Sequence, residues 1–473
     1  MGHYSHPPGA GRAYPYALMG SFRFQSRLPL PPATVYDWHT REGAFERLCP
    51  PWDPVSVVHR SGPLAEGARV TLHLSSGPVR TWVAEHRDLV PGQRFTDFQV
   101  RGPFSNWVHT HRFDPAPRHS PDDPEACLMT DEIEYRLPLG PLGHAIADRF
   151  VQGKLNATFA YRHRVLADDL AALHKYGGDD GRKLTVAVSG TNGYVGSALL
   201  PMLTTMGHTA RRLLRDADNH YDPQVIDGAD AVVHLAGDNV ATGRWSPAKR
   251  DAILRSRVDS TAHVCDLILR ASRRPGVLVC ASAVGIYGDR GDEVLDEGAA
   301  AGDTFLAEVC RRWEQAAQPA IDAGVRVVFA RFGVVLSPER GPLHKMLPAF
   351  KLGLAGPMGP GSQFWPWVAR DDAVGAIVHA LLCPDLRGPV NVVAPQHVTN
   401  RQFTRTLGAV LHRPTVVPMP AAAARLAFGA MADELFLASE RVEPRQLQHT
   451  GYAFRYPRLD DALSWMLGKG PPA

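Results

Sequence analysis

One stretch constrains the fold more than any other. Lys183-Leu-Thr-Val-Ala-Val-Ser-Gly190-Thr191-Asn192-Gly193-Tyr194-Val195-Gly196-Ser-Ala-Leu-Leu200 runs from an apolar strand through a glycine-punctuated loop into a helix that closes at Gly207. Its register is G-x-x-G-x-x-G. Gly190 permits the tight turn out of the strand, Gly193 lets backbone N–H groups approach a pyrophosphate, and Gly196 lets the helix pack against the sheet with its positive N-terminus toward the anion. Strand, loop and helix stand in the order a dinucleotide requires, so Gly190 to Gly196, with Thr191, Asn192, Tyr194 and Val195, is the expected cofactor loop.

The next strand, His208-Thr-Ala-Arg-Arg-Leu-Leu-Arg215, ends without the Asp or Glu that would bind a ribose 2′-hydroxyl. Leu214 holds the likely carboxylate position and Arg215 follows it. A guanidinium for a 2′-phosphate is therefore expected from Arg215 first and Arg212 second, which favours NADP over NAD. The plainer alternative is that these arginines only decorate a strand end.

Further continuous apolar runs, Ala231 to Gly237, Val277 to Val284 and Val325 to Arg331, read as buried parallel strands. The helical patterns Ser246 to Ala271 and Asp303 to Ala323 lie between them, each entered through a Ser or Asp cap. The expected product is an α/β Rossmann-like doubly wound parallel sheet, with its ligand crevice at the C-terminal strand ends.

A chain of 473 residues has room for two or three domains. The turn-rich Gly177-Gly-Asp-Asp-Gly181 marks the expected division. The partition is then a tail over 1–20, a first domain over 21–176, a linker over 177–182, the nucleotide-binding domain over 183–390 and a C-terminal lobe over 391–473. In the first domain, short β-rich runs at Arg69–Leu74, Arg80–His86, Arg94–Val100, Trp107–Phe113 and Leu128–Tyr135 imply an antiparallel sheet. Ile146, Phe150, Phe159, Leu166, Leu170 and Leu173 predict one long amphipathic helix over 142–176.

His109 and His111 sit two apart on a strand and point to one face, as a metal would require. With no third ligand evident, they read as polar residues on a solvated face, and no metal is expected.

Composition excludes several classes. Lys+Arg 51 against Asp+Glu 48, a net charge of +3 without long runs of one sign, gives no nucleic-acid arm and no polybasic membrane patch. Six cysteines without C-x-x-C spacing make neither a disulfide framework nor a structural zinc site, so a reducing cytoplasm is expected. No apolar run is long enough to span a membrane.

The first domain resembles the START and polyketide-cyclase-like helix-grip domains in order and size, an α+β layout that implies an apolar ligand between sheet and helix. A filled core is the alternative. In the second, the glycine loop, His234-Leu-Ala-Gly237, Ser282-Ala-Val-Gly-Ile-Tyr287-Gly288, Arg331-Phe-Gly-Val-Val-Leu336 and Asp371-Asp372-Ala373 resemble extended short-chain dehydrogenases/reductases of the epimerase branch. Gly243-Arg-Trp245, Ser256-Arg-Val258, Thr304-Phe-Leu306, Trp313-Glu314 and the tail from Thr399 to Leu463 resemble an atypical epimerase-like family with its own C-terminal domain. That resemblance implies cofactor contacts at Leu235, Ala236 and Gly237 as well.

The family's Tyr-x-x-x-Lys pair is missing. Aligned on Glu314, its two positions hold Leu306 and Cys310, and the Ser/Thr position holds Ala283, next to Ser282. Tyr287 is then the nominee for general acid/base, with Ser282 as its hydrogen-bonding companion. Lys249 is a substitute cation or a solvated helix residue. Cys310 has only its position in its favour as a nucleophile, and Trp365-Pro-Trp367 reads as a substrate wall or as core.

The leading expectation is an NADP(H)-dependent oxidoreductase or epimerase-like enzyme acting on a small carbonyl or hydroxyl compound. A non-catalytic NADP-binding sensor or scaffold is the alternative, and a carrier of an apolar compound the third reading.

Overall fold

The computed structural model describes residues 19–75, 77–118, 120, 123–138, 140–177, 181–217 and 220–470, without the side chains of 140–146. Most of the expected tail and the centre of the expected linker, residues 178–180, lie outside the described residues, as does the side chain of Ile146.

Two compact units divide the chain: Val55–Ala160 joins the residues up to Tyr36, and Asp37–Pro54 joins Tyr161–Ala473. The step from Ala160 to Tyr161 between these units falls inside a helix.

In the first unit seven antiparallel strands, β1 (Gly20–Leu28), β2 (Val55–Arg60), β3 (Arg69–Leu74), β4 (Thr81–Val90), β5 (Arg94–Arg101), β6 (Asn106–Pro115) and β7 (Cys127–Arg136), lie in the order β1-β7-β6-β5-β4-β3-β2. Alternation sets the inner face: His109, His111 and Phe113 of β6 are buried while their neighbours are less so. Phe159 joins Phe22, Ile133, Tyr135 and Leu155 in an apolar cluster. The short helix α1 (Pro32–Thr40) follows β1, then α2 (Ala44–Arg47), which belongs to the second unit; the 36-residue α3 (Gly140–Lys175) follows β7 and runs from the first unit into the second. Along α3, Phe159, Leu166, Leu170 and Leu173 are buried as expected, but Phe150 is 74% exposed, so the apolar stripe starts later than the periodicity suggests.

The second unit is built on six parallel strands, β8 (Thr185–Ser189), β9 (Thr209–Leu213), β10 (Ala231–His234), β11 (Val277–Ala283), β13 (Arg326–Phe332) and β16 (Gly388–Val392), in the order β16-β13-β11-β10-β8-β9. Four short strands, β12 (Val294–Leu295), β14 (Val334–Leu336), β15 (Trp367–Ala369) and β17 (Arg441–Val442), pair as β12 with β17 and β14 with β15. Helices α4 (Gly196–Thr205), α5 (Pro223–Ile226), α6 (Pro247–Arg270) and α7 (Phe305–Gln315) link the main strands.

Ser246 caps α6 by accepting from the Lys249 N–H, with Pro247 at the start where its missing N–H is no loss. The expected helix over 303–323 is broken: α7 begins at the Thr304 cap, ends at Gln315, and a second short helix, Gln318–Asp322, restarts with Pro319 in its first turn. Trp365 and Trp367 are 9% and 1% exposed, inside an apolar cluster with Phe403, Tyr456 and Leu463. They are core rather than a wall over a substrate.

In the same unit, Arg47 of α2 makes two 2.8 Å bonds to the Asp169 carboxylate and a third to Asp371, while Arg455 donates to Asp169 at 2.7 Å. These charges are buried but paired, as the low dielectric demands.

Candidate nucleotide-binding and redox site

The glycine loop is shaped by what it excludes. Gly190 has φ +71°, and a side-chain carbon there would lie 2.8 Å from the Leu235 carbonyl carbon. One at Gly193 would lie 2.9 Å from the Gly190 carbonyl oxygen, and one at Gly196 would collide with that same oxygen. The Gly193 N–H donates to Gly190 O at 2.9 Å, closing the turn at the mouth of α4. Thr191 is 2% exposed, and its hydroxyl has no hydrogen-bond partner among the described residues. Asn192 and Gly193 are exposed, whereas Tyr194 is half-buried beneath the Arg370 guanidinium. The loop thus offers a cradle without side chains and one orphaned hydroxyl beside it, which fits a pyrophosphate.

At the end of β9 the three arginines differ. Arg211 turns away and donates to the Asp227 carbonyl at 3.1 Å. Arg212 and Arg215 are exposed, and the Arg215 guanidinium lies 5.1 Å from the centre of the Tyr221 ring. Leu235 and Ala236 are half-buried where β10 ends, and Gly237 lies over Arg257. His234, fully buried, is held at both ring nitrogens, by Ser189 at 2.7 Å and Ser260 at 3.0 Å. Burial, with the Arg215 charge, lowers its pKa to about 3, so it stays neutral and structural.

The expected catalytic pair sits in a closed network. Tyr287 is fully buried; its hydroxyl donates to Asn391 Oδ1 at 2.7 Å and accepts from Arg331 at 3.0 Å. Ser282 donates to Glu314 at 2.7 Å, and Arg331 grips that carboxylate through two bonds of 2.8 Å. Glu297 completes the cluster: one carboxylate oxygen accepts from the backbone N–H groups of Asn391 and Gln446, while the other has no partner among the described residues.

Leu306 and Cys310 are both buried. Burial, with the Glu314 charge, pushes the Cys310 thiol up to about 12, which removes it as a nucleophile. Lys249 is tied to Asp238 at 2.5 Å and Thr242 at 3.1 Å, so it is not a spare cation.

Sequence reading missed two groups. Arg257 donates to the Asp238 carbonyl at 2.9 Å and covers the Trp313 ring, and burial lowers its pKa against the opposing pull of Cys310 and Asp238. Its one sequence signal is its place in Ser256-Arg-Val258. Glu440, 9% exposed, has its carboxyl pushed up to about 8 by burial and by Asp289, and its charge acts on the Cys310 thiol. It lies far from Cys310 in sequence and had no signal.

In the first unit, the expected solvated histidines are buried instead, with 5% of His109 and 8% of His111 exposed. Both rings reach Asp131 Oδ1, at 2.8 Å and 2.7 Å. Burial lowers the His109 pKa to about 4; burial also opposes the His111 charge, but Asp131 and Asp97 hold that imidazole at about 9.

Among the described residues no helix is long and apolar enough to cross a membrane. Three known families match along the chain: polyketide cyclase / dehydrase and lipid transport over 28–164, the NAD dependent epimerase/dehydratase family over 186–393, and a domain of unknown function (DUF1731) over 419–466. An epimerase family protein of Mycobacterium bovis is 40% identical over 294 residues, covering 59% of this chain and 96% of the relative. A solved structure from Corynebacterium glutamicum, called a nucleoside-diphosphate sugar epimerase, is similar over 95% of this chain and 91% of its own, at 33% identity and TM-score 0.77. The human epimerase family protein SDR39U1, solved with NADPH, is 32% identical, with TM-score 0.57 over 60% of this chain and 99% of its own. By these matches the chain belongs to the epimerase family, with a polyketide-cyclase-type domain ahead of its nucleotide-binding fold.

Proposed function

We propose that the second unit binds NADP(H) and acts as an oxidoreductase or epimerase-like enzyme on a small carbonyl or hydroxyl compound. The observation that carries this reading is the glycine cradle with the orphaned Thr191 hydroxyl beside it. Gly190, Gly193 and Gly196 with Thr191, Asn192, Tyr194 and Val195 would hold the pyrophosphate, and Leu235, Ala236 and Gly237 the adjoining nucleotide. Arg215, with Arg212, would take the 2′-phosphate, since both guanidiniums are exposed where an NAD-binding fold places an acid. When bound, the cofactor supplies a hydride donor or acceptor at its nicotinamide ring.

For proton transfer, the reading shifts from Tyr287 to Glu440. The hydroxyls of Tyr287 and Ser282 are spent on Asn391 and Glu314, which suits them to holding the floor of the site. Glu440 is buried, and burial with the Asp289 charge pushes its carboxyl up to about 8, so it holds a proton that it can give up near neutral pH. Arg257 would supply the cation that the family's lysine otherwise provides.

The sensor reading is favoured by one observation, the apolar Leu306 and buried Cys310 at the two catalytic positions. For the first unit, the matched polyketide cyclase and lipid-transport family supports an apolar ligand. The deciding experiment titrates the stripped protein with NADPH and NADH by nicotinamide fluorescence, then screens carbonyl compounds for NADPH oxidation. Binding without turnover of any compound would leave the sensor reading, and failure to bind either nucleotide would overturn both.

A further inference from the structure

The first unit gathers four titratable groups in one place on its sheet, His109, His111 and Asp131 buried and Asp97 half-buried. Strand register puts them there. Asp97 of β5 lies directly opposite His109 of β6, and two residues along, His111 of β6 lies directly opposite Asp131 of β7. The same pleat that turns His109 inward turns His111 inward, so two imidazoles stand one above the other with ring centres 4.0 Å apart and a carboxylate on either side.

The donor atoms converge. One each from Asp97, His109 and His111 lie within 4.8 Å of one another. Asp131 Oδ1 lies 2.8 Å from His109 Nε2 and 2.7 Å from His111 Nδ1, while His111 Nε2 lies 3.5 Å from Asp97 Oδ2. The surround is apolar: Phe95 stacks on His111 at 4.2 Å and Phe159 meets His109 edge-on at 5.3 Å. His86 binds the other Asp97 oxygen, Oδ1, at 2.6 Å, fixing that carboxylate from behind, as outer partners of metal ligands do. The Asp97 side chain retains 25% exposure and gives the cluster a path to solvent.

We propose that this unit holds a divalent first-row transition-metal ion of the zinc class on His109, His111 and Asp97. Two imidazoles and one carboxylate form a nitrogen and oxygen set with a position left for water, the ion displacing the proton that His111 otherwise holds. Asp131 then orients both rings from behind, at His109 Nε2 and His111 Nδ1, leaving the other nitrogen of each ring for the ion, as carboxylates behind metal-bound histidines do. The sequence reading set a metal aside because no third ligand was evident; the third comes from β5, remote in sequence from the histidine pair.

The test uses the full chain, stripped with a chelator and dialysed against Zn2+ or Co2+ alone. One ion per chain is expected, with visible Co2+ absorption of a low-symmetry nitrogen and oxygen site and a zinc X-ray absorption signature of two imidazoles. The Asp97→Asn and His109→Gln variants should each lose more than the roughly 10–100-fold in affinity that an outer-shell partner alone is worth. The unvaried protein decides the matter even if a variant fails to fold. Absence of stoichiometric binding, a spectrum without two imidazoles, or an ion retained at full affinity by both variants would overturn the assignment.

Discussion

The Tyr287 hydroxyl donates to Asn391 Oδ1 at 2.7 Å and receives the Arg331 guanidinium at 3.0 Å, so one phenol bridges β13 and β16 beneath the site. With the ring fully buried, this bond is part of the scaffold. Tyr287→Phe leaves an acceptor and a cationic donor each short of a partner, a loss of about 1–3 kcal/mol in stability. NADPH affinity should be unchanged. Urea denaturation and fluorescence titration check both; an unaltered midpoint would return Tyr287 to candidacy as the acid/base.

The cradle predicts its own disruption. At Gly190, alanine meets both a left-handed backbone and the Leu235 carbonyl carbon at 2.8 Å, and at Gly193 valine meets the Gly190 oxygen. Gly190→Ala should destabilise by at least the roughly 1–2 kcal/mol of a left-handed residue, and both variants should lose measurable NADPH binding. Retained affinity in Gly193→Val would place the pyrophosphate elsewhere.

Arg215 and Arg212 should separate the two nucleotides. Arg215→Ala removes a charged contact worth about 1.5–3 kcal/mol, or roughly 10–150-fold, from NADPH and nothing from NADH. Arg212→Ala should give a smaller selective loss. Equal weakening of both nucleotides, read by parallel titrations, would show that these arginines do not reach the 2′-phosphate.

The nucleotide fold was legible because its signals are local. A strand, three glycines and a helix occupy consecutive positions, and continuous apolar runs announce parallel strands. What the sequence hid was made by register and by remote chain segments. Asp97 and Asp131 reach the His109 and His111 pair only through pairing across β5, β6 and β7, and Asp289, whose charge helps to hold the Glu440 proton, is remote from it in sequence. The sharing of α3 between the two compact units was hidden too, because it reads as one uninterrupted helix.

Arg47 opens the place of α2 in the second unit to experiment. Sequence gives no reason to tie a four-residue helix near the N-terminus to the nucleotide-binding unit, but Arg47 is 6% exposed and bound to Asp169 and Asp371. Arg47→Met leaves Asp371 without that hydrogen bond and Asp169 with Arg455 alone, which should cost about 3–5 kcal/mol. The loss should appear in the unfolding transition of the second unit. A midpoint unchanged in Arg47→Met would mean that segment contributes nothing to its stability.

Five buried groups in the second unit, three histidines, Glu440 and Asp372, give that transition a pH dependence. Burial lowers His234, His208 and His379 to about 3, 4 and 4, with Arg215, Lys183 and Lys175 as the respective nearby charges. Each takes up its proton on unfolding below about pH 6.5, so stability falls as pH drops from there toward 4. Glu440 has the opposite sign. Raised to about 8, it keeps its proton in the folded state and loses it on unfolding above about pH 4.3, so its contribution is lost as pH climbs toward 8. Asp372, fully buried and raised to about 6, has the sign of Glu440 over about pH 4 to 6, so there three histidines oppose two carboxyls and stability rises; above 6.5 Glu440 acts alone and stability declines. The urea midpoint should therefore peak near pH 6.5, and Glu440→Gln should turn the decline above it into a plateau. His379→Gln, which can still bond Tyr176 and Thr450, should make the acid limb shallower. An alkaline limb that survives in Glu440→Gln would mean that Glu440 is ionised in the folded protein, and it would lose its place as the proton donor.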